Sequence, residues 1–260
     1  MTSLTHMHSR PAASVVVPAK DEVGNLADLI AEIDAALAGR AFEVIVVDDG
    51  SSDGTDGLLA DLAVTRPWLR IVRHAAACGQ SAAVRTGMLA ARGDVVLTID
   101  GDGQNDPAFF PDMLDVLAAG GPGMGLVAGQ RVGRKASLGK RYASRGANWL
   151  RRTLLDDGIR DTGCGLKAVR RDIFRRLPFF DGWHRYLPAL VIREGYTIGT
   201  VDVVDRPRRH GQSKYGILDR ALVGILDLYG VWWLRRRFRR RPVATEVTPG
   251  VAASSVEGDA

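Results

Sequence analysis

Val95-Val-Leu-Thr-Ile-Asp100-Gly-Asp102-Gly-Gln104 is an apolar run that ends in two carboxylates and an amide. The apolar part predicts a buried strand. Alternate residues of an extended segment face the same side, so Asp100, Asp102 and Gln104 are expected to present three oxygen atoms together. Oxygen-only ligation suits Mg²⁺ or Mn²⁺, and the stretch therefore predicts a site for one of these cofactors. A plain turn is the alternative, and a calcium loop is disfavoured because Pro111 replaces its last glutamate.

Strands and helices alternate over the first hundred residues. The predicted strands are Ser14–Val17, Phe42–Val47, Leu69–Val72 and Val95–Ile99, and the predicted helices are Asn25–Leu37, Thr55–Leu62 and Gly79–Ala91. This alternation predicts an α/β fold with a doubly wound, mainly parallel sheet. Ligands of such sheets bind at the carboxyl ends of the strands. The loops at Pro18–Glu22, Asp48–Asp53 and Asp100–Gln104 should therefore share one edge.

The later half of the sequence is less regular. Further strands are predicted at Leu126–Ala128 and Tyr196–Val204, and residues 206–215 form a loop rich in basic and small residues. We expect a disordered N-terminus over 1–13, one α/β domain over 14–215 and a disordered tail over 242–260.

Positive charge is concentrated in two segments. The net charge is +5, and six arginines between residues 235 and 241 account for more than this excess. A second segment, Arg131–Arg152, holds eight Lys or Arg and no acid. Such segments suit phosphate groups or an anionic membrane surface, with a solvated face as the alternative. We do not expect a nucleic-acid partner.

The cysteines and the first residues bear on location. Cys78 and Cys164 lie far apart, so neither a zinc site nor a disulfide framework is indicated. Residues 1–11 lack the apolar run of a signal peptide. A cytoplasmic, reducing location is expected.

The segment 216–241 is predicted to meet a membrane. Ile217–Leu234 contains three charged residues that argue against a membrane span, Asp219, Arg220 and Asp227. They fall within about 100° on a helical wheel, as in an amphipathic helix. Trp232 and Trp233 adjoin the arginines, a combination that suits an anionic bilayer interface. The alternative is a helix that covers the core, followed by an exposed basic tail.

A second acidic cluster follows the strand at Phe42–Val47. Asp48-Asp49-Gly-Ser51-Ser-Asp53-Gly places three carboxylates beyond the strand, where they can accept hydrogen bonds from a ribose or a base. An ordinary turn with a helix cap near Asp53 or Thr55 is the alternative.

Taken together, these segments resemble glycosyltransferase family 2. The resemblance rests on the order and spacing of Val15-Val-Val-Pro18-Ala-Lys-Asp21-Glu22, Asp48-Asp49-Gly-Ser51-Ser-Asp53-Gly-Thr55 and Asp100-Gly-Asp102-Gly-Gln104. The segment Cys78–Gly87 is similar to the Gly-x-x-x-Ala-x-x-x-Gly helix of that family. The resemblance covers about residues 14–215 and implies a GT-A fold and a nucleotide diphosphate-sugar donor.

Within the family, the chain most resembles the polyprenyl-phosphate sugar transferases, including dolichyl-phosphate mannosyltransferase. Three segments carry this likeness: Gly129-Gln130-Arg131, Ser144-Arg145-Gly146 and Arg206-Pro-Arg208-Arg-His-Gly211-Gln-Ser213-Lys214-Tyr215. Lys167 stands where the mannosyltransferases often carry Arg, and the Asn common before Cys78-Gly79 is absent. The sugar and the base of the donor therefore stay open.

The resemblance implies roles for individual residues. The donor would be bound by Pro18, Asp21, Glu22, Asp49, Ser51, Gln80, Asp100, Arg208, Ser213 and Lys214. The metal would be held by Asp100, Asp102 and Gln104. The acceptor phosphate would be received by Arg131, Lys140 and Ser144. The residues expected to take part in catalysis are Asp102, Arg131, Asp161 and Lys214.

The predicted reaction is inverting transfer of a sugar to a polyprenyl phosphate, such as undecaprenyl or dolichyl phosphate. A phosphate is already anionic and needs no strong base, whereas an alcohol acceptor would, with Asp161 as the candidate. His184 and His210 are interpreted as loop or packing residues. The alternatives are transfer to a polysaccharide or other alcohol, and a non-catalytic protein that binds sugar nucleotides. A dehydrogenase is disfavoured, because no Gly-x-Gly-x-x-Gly follows the first strand.

The expected location is peripheral, on the inner face of the cytoplasmic membrane. An anionic membrane surface is the expected partner, and an integral-membrane partner or a homo-oligomer stays open.

Overall fold

A seven-stranded sheet runs through the centre of the chain. The computed structural model describes residues 10–132, 151, 153–207 and 217–238. Its strands are β1 (Ala13–Ala19), β2 (Phe42–Asp48), β3 (Leu69–Arg73), β4 (Val95–Thr98), β5 (Met124–Arg131), β6 (Lys167–Arg170) and β7 (Thr197–Val203). They lie in the order β3-β2-β1-β4-β6-β5-β7. Only β6 runs antiparallel to its neighbours among these strands, so the mainly parallel sheet is confirmed.

Helices cover both faces of the sheet. They are α1 (Val23–Ala36), α2 (Thr55–Val64), α3 (Gln80–Ala90), α4 (Phe110–Ala119), α5 (Arg171–Phe174), α6 (Leu187–Arg193) and α7 (Ile217–Arg237). Two short 3₁₀ turns lie at Pro107–Phe109 and Trp183–Arg185.

The sheet is apolar on both faces because both faces are covered. Val15 and Val17 of β1 belong to a core cluster with residues of α1 and α4, whereas Val16 belongs to a second cluster with residues of α3 and α6. Strands buried on both sides read as continuous apolar runs rather than alternating ones. The Val-Val-Val of β1 and the Val-Ile-Val-Val of β2 (Val44–Val47) are such runs.

The helix α7 packs on the body of the protein through one side. Leu228 and Val231 are buried, and the carbonyl of Gly224 accepts a hydrogen bond from the Tyr186 hydroxyl at 3.2 Å. Asp227 is half-buried, and a Cβ added to Gly182 would lie 2.8 Å from Asp227 Oδ2. The polar side of the helix at Asp227 therefore faces the protein. None of the helices in the described part of the chain combines the length and the apolar composition needed to cross a membrane.

Several sequence predictions fall on residues outside the described ranges. They are the disordered tail over 242–260, most of the disordered N-terminus, His210, and the site residues Lys140, Ser144, Arg208, Ser213 and Lys214.

Candidate active site

The carboxyl ends of β1, β2 and β4 bring the three predicted loops together. The backbone N–H of Asp49, after β2, donates to the carbonyl of Ala19, at the end of β1, at 2.8 Å. After β4, Gly101 lies so close to β1 that a Cβ there would stand 2.9 Å from the carbonyl oxygen of Pro18. The predicted common edge is thus present, and the close approach at Gly101 explains why a residue without a side chain is found there.

The loop after β1 is fixed by hydrogen bonds to the loop after β2. The backbone N–H of Asp21 donates to Ser51 Oγ at 2.9 Å, and Asp21 Oδ1 accepts from the backbone N–H of Ser52 at 2.9 Å. Asp21 has a φ of +54°, a left-handed conformation that is uncommon for a residue other than glycine. Such backbone strain clusters at ligand sites and persists where the surroundings enforce it, as the loop after β2 does here.

Asp49 fastens the start of α3. Its carboxylate accepts hydrogen bonds from the backbone N–H groups of Cys78 and Gly79, both at 2.8 Å, and pairs with His74 Nδ1 at 2.7 Å. Burial alone would raise the pKa of Asp49, but these hydrogen bonds outweigh burial and lower it. The side chain thus positions the turn that precedes Gln80, and its predicted contact with the donor nucleoside stays a prediction.

Of the alternative at this motif, the ordinary turn is present, whereas the N-cap residue of α2 is Gly54 and makes no side-chain cap. Asp53 Oδ1 accepts from the backbone N–H of Thr55 at 3.0 Å, at the start of α2. Part of the acidic cluster therefore serves local structure.

The segment after β4 is a turn, and the expectation of an extended segment was wrong. The strand ends at Thr98, residues 101–102 form a turn, and Gly103 has a φ of +70°. The backbone N–H of Gln104 donates to Asp102 Oδ1 at 3.1 Å, which stabilises the turn. The physical reason is the left-handed conformation of Gly103 together with this hydrogen bond, since both turn the chain away from an extended path.

Asp100 and Asp102 lie close enough to interact electrostatically. Asp100 is half-buried, and its Oδ1 accepts from Gln80 Nε2 at 2.8 Å. Burial, and secondly the charge of Asp102, raise the pKa of Asp100 to about 6. A divalent cation would relieve the repulsion between the two carboxylates, so these residues fit the metal that the sequence predicts.

A cavity of about 360 Å³ opens beside Asp100. Its lining includes Pro18, Gln80, Asp100, Lys167, His184 and Arg185. The volume falls in the usual range for small-molecule sites, about 300–1,000 Å³. A cavity with both acidic and basic walls can hold a cation together with an anionic ligand.

Two of the basic side chains in this cavity are withdrawn from solvent, Lys167 fully and His184 in part. Lys167 Nζ donates to the carbonyl of Cys164 at 2.5 Å, and burial lowers the pKa of Lys167. His184 Nδ1 pairs with Ser81 Oγ at 2.7 Å. Burial, and then the charges of Lys167 and Arg185, lower the pKa of His184 to about 3. His184 is thus neutral at physiological pH. It also lines the cavity, a position that the interpretation as a loop or packing residue did not predict.

Arg131 is held between two carboxylates. It donates to Asp161 through Nε and through Nη2, the latter at 2.8 Å, and Nη1 donates to Asp205 Oδ2 at 3.1 Å. Burial alone would lower the pKa of Arg131, but the two carboxylates outweigh burial and raise it. Gly163 allows this approach, because a Cβ there would stand 2.9 Å from Arg131 Nη2. Both oxygens of Asp161 thus accept from Arg131, which favours a positioning role for Asp161 over that of a base.

Four residues of this region were not predicted from the sequence: Asn105, Ser81, Arg185 and Asp205. Asp205 had a detectable signal, because it directly follows a predicted parallel strand, at the carboxyl edge where ligands bind. The contacts of Asn105 and Ser81 join residues about a hundred positions apart, and the local pattern carries no sign of them.

Fold and site together define an α/β protein with a cavity at the carboxyl edge of a mainly parallel sheet, beside a pair of aspartates. The chain belongs to glycosyl transferase family 2, whose sequence signature matches residues 14–178. This membership confirms the resemblance seen in the sequence and the enzyme class that it implies.

Two relatives illustrate the likeness in sequence. Dodecaprenyl-phosphate galacturonate synthase of Rhizobium johnstonii is 35% identical over 241 residues, which cover 88% of this chain and 68% of that protein. Undecaprenyl-phosphate 4-deoxy-4-formamido-L-arabinose transferase of Edwardsiella ictaluri is 32% identical over 212 residues, which cover 79% and 63%. The chain thus spans about two thirds of the length of these relatives.

A solved structure illustrates the likeness in fold. Glucosyl-3-phosphoglycerate synthase from Mycobacterium tuberculosis, crystallised with Mn²⁺, UDP-glucose and glycerol 3-phosphate, matches with a TM-score of 0.64. The match covers 95% of this chain and 87% of that one, at 22% identity. The predicted GT-A fold is thereby confirmed.

Proposed function

We propose that this glycosyltransferase moves a sugar from a nucleotide diphosphate-sugar to a polyprenyl phosphate, with Mg²⁺ or Mn²⁺ as cofactor. The observation that carries the proposal is the cavity at the carboxyl edge, which is lined by Gln80, Asp100, Lys167 and Arg185. The names of the two relatives supply the acceptor class, since both act on a prenyl phosphate.

The donor would lie across the ends of β1 and β2. Pro18, Asp21 and Glu22 stand in the loop that is bonded to Ser51 and Thr55, next to Asp49. These residues would contact the nucleoside. Gln80 would act through its hydrogen bond to Asp100, which sets the direction of that carboxylate. Arg208, Ser213 and Lys214 would contact the diphosphate, and for these three the proposal rests on the sequence resemblance.

The cation would be held by Asp100, Asp102 and Gln104. When bound, it would supply charge that stabilises the leaving diphosphate. The turn that contains these residues packs against β1, so the cation would lie next to the donor loop. Because burial, and secondly the charge of Asp102, raise the pKa of Asp100, a positive charge beside the two carboxylates would stabilise their ionised forms.

The acceptor phosphate would be received by Arg131 together with Lys140 and Ser144. Asp161 and Asp205 hold the Arg131 guanidinium in place. A phosphate can attack the anomeric carbon without a strong base, so the engagement of Asp161 with Arg131 is compatible with this acceptor. A single attack from the face opposite the diphosphate inverts the anomeric centre. An alcohol acceptor would require Asp161 to leave Arg131.

The protein would lie on the inner face of the cytoplasmic membrane, attached through α7. Five exposed apolar side chains form a stripe on the described part of this helix, namely Val223, Ile225, Leu226, Tyr229 and Trp233. Arg235, Arg236 and Arg237 follow the stripe at the end of the helix. Apolar side chains next to arginines suit the surface of an anionic bilayer. A second copy of the chain or an integral-membrane protein is the other occupant that this stripe could receive.

A transfer assay tests the function. The purified chain is incubated with undecaprenyl phosphate, Mn²⁺ or Mg²⁺ and a panel of radiolabelled UDP- and GDP-sugars. We expect label to enter the lipid fraction with one donor, and Asp102→Ala to abolish the transfer. Asp115→Ala removes an exposed carboxylate from α4 and serves as the matched control, which should retain activity. Transfer to alcohols alone, or NMR of a product with retained configuration, would contradict the proposal.

A further inference from the structure

Asn105 directly follows the predicted metal ligands and has an amide of fixed orientation. The residue is buried, with 3% of its surface exposed. Its Nδ2 donates to Asp205 Oδ1 at 3.0 Å. A carboxylate only accepts hydrogen bonds, so the amino group must face Asp205. The amide oxygen therefore points the other way.

The amide oxygen of Asn105 faces the carboxylate of Asp100. A Cβ on Gly165 would stand 2.5 Å from Asn105 Oδ1 and 2.6 Å from Asp100 Oδ2. The two oxygens thus converge on one small space in front of Gly165. Asn105 Oδ1 has no hydrogen-bond partner among the described residues. Two acceptors that face each other without a donor repel, and buried acceptors are rarely left in that state.

We infer that Asn105 Oδ1 is a further ligand of the bound divalent cation, reached directly or through one water of its hydration shell, on the Asp100 Oδ2 side. Amide oxygens are ordinary ligands of hard divalent cations, which also retain several waters. The inference rests on the proposed function, because it concerns the same cation. A shared proton or a lone water would satisfy the two acceptors as well, but neither would make Asn105 strengthen the binding of a cation.

This position would also link the cation to the acceptor side of the site. Asn105 donates to Asp205 at 3.0 Å, and Asp205 accepts from Arg131 at 3.1 Å. Two hydrogen bonds thus connect a cation ligand to the arginine proposed to receive the acceptor phosphate. Asn105 would thus help to set the distance between the cation and the acceptor phosphate.

Binding of Mn²⁺ alone, followed by electron paramagnetic resonance of the free ion, tests the inference without any activity assay. Asn105→Leu removes the oxygen, and we expect about 10- to 100-fold weaker binding, as for other groups that support a metal site. Asn105→Asp keeps an oxygen toward Asp100 and should bind Mn²⁺ more tightly than Asn105→Leu. If Asn105 matters only through its bond to Asp205, the order reverses, because a carboxylate would then face a carboxylate. Weaker Mn²⁺ binding by Asn105→Asp than by Asn105→Leu would overturn the inference. So would a Kd for Mn²⁺ in Asn105→Leu that is within twofold of the parent value.

A second variant removes no polar group and tests the same space. Gly165→Ala places a methyl group between the two oxygens and should weaken Mn²⁺ binding. Gly57→Ala is the matched control, because a Cβ there meets nothing within 4 Å. Melting temperatures verify that each variant is folded. If Asp102→Ala abolishes binding while Asn105→Leu and Gly165→Ala leave it unchanged, the inference fails and the proposed metal site stands. A parent chain that binds no Mn²⁺ overturns both.

Discussion

Asp100 is half-buried at the end of β4, with the carboxylate of Asp102 close by. Its pKa is raised from 3.8 to about 6, first by burial and then by Asp102. A carboxyl group with a raised pKa in the fold prefers the protonated form there. Ionisation of Asp100 therefore destabilises the metal-free protein, increasingly from about pH 4 to pH 6 and fully above that.

Asp100→Asn should for this reason stabilise the metal-free protein at pH 7.5. The amide oxygen can still accept from Gln80, while the unfavourable charge is removed. We expect a gain of about 1–3 kcal/mol in the free energy of unfolding, measured by urea denaturation. Added Mn²⁺ should stabilise the parent and no longer stabilise the variant. A variant less stable than the parent at pH 7.5, with an equal difference at pH 4.5, would contradict this assignment.

Asp161 distinguishes the two kinds of acceptor. If the acceptor is a phosphate, Asp161 acts by holding Arg131, and Asp161→Asn keeps one acceptor oxygen for that purpose. We expect kcat/KM to fall about tenfold or less, mainly through a higher KM for the lipid phosphate. Loss of a general base would lower kcat by about 10²- to 10⁴-fold instead. Steady-state kinetics at several lipid concentrations separate the two results, and a large fall in kcat alone would favour an alcohol acceptor.

At the scale of elements, a buried glutamate ties the edge of the sheet together. Glu43 of β2 accepts from Ser14 Oγ of β1 at 2.6 Å, from the backbone N–H of Arg92 at 2.7 Å and from Arg70 of β3 at 2.7 Å. Burial alone would raise the pKa of Glu43, but these hydrogen bonds outweigh burial and lower it. One side chain thus joins three strands and the turn before β4.

Glu43→Gln should destabilise the fold by about 1–3 kcal/mol at neutral pH, because the new amino group faces donors and leaves them without an acceptor. The lowered pKa fixes the pH dependence. The stabilisation is present above the ordinary pKa of 4.5 and is lost as the pH falls through the lower value of the folded state. Urea denaturation at pH 7 and pH 3 should show the difference between parent and variant shrinking in acid. If the difference in the free energy of unfolding were the same at both pH values, the charge of Glu43 would not contribute to stability.

The sequence predicted most of the elements that have strong local patterns. The first four strands and the helices between them are where the apolar runs and the helical spacing placed them. The strand β6 was missed because only Ala168 and Val169 are apolar in its four residues, and its first residue is a lysine. The helix α4 was also missed, although Phe110, Met113 and Leu117 have helical spacing and are buried.

The residues of the site also divide into those that local sequence patterns predict and those that they do not. Loops that follow strands could be assigned to one edge from the order of elements alone. The partners Arg131 and Asp205 are 74 residues apart, and Asn105 and Asp205 are 100 apart. Such pairs depend on how β5 and β7 are placed beside β4 through β6, which local patterns do not encode.

At the scale of the whole molecule, α7 has two apolar sides. Leu228 and Val231 face the core, whereas Ile225, Leu226 and Tyr229 are more than half exposed. Monomeric soluble proteins seldom expose contiguous apolar surface without a binding partner for it. The arginines at the end of the helix make an anionic bilayer the occupant that we favour.

Replacing Arg235, Arg236 and Arg237 by Gln should release the protein from anionic liposomes. Each basic residue near such a surface contributes about 1 kcal/mol, so the three together imply a roughly 100-fold weaker partition. Sedimentation with liposomes that contain phosphatidylglycerol measures the effect. Raised salt should also weaken the binding of the parent protein to these liposomes. The matched control replaces three exposed arginines outside α7, Arg40, Arg92 and Arg175, with the same change of charge.

The apolar stripe needs its own variant, because charge and apolar contact are separable. Tyr229→Ser with Trp233→Ser keeps every arginine and should weaken binding to anionic and to neutral liposomes alike. If the stripe is instead covered by a second copy of the chain, this double variant converts a dimer to a monomer in analytical ultracentrifugation and leaves liposome binding unchanged. Weaker binding by both the arginine and the stripe variants, with a monomeric parent, is the result that a membrane-bound α7 requires.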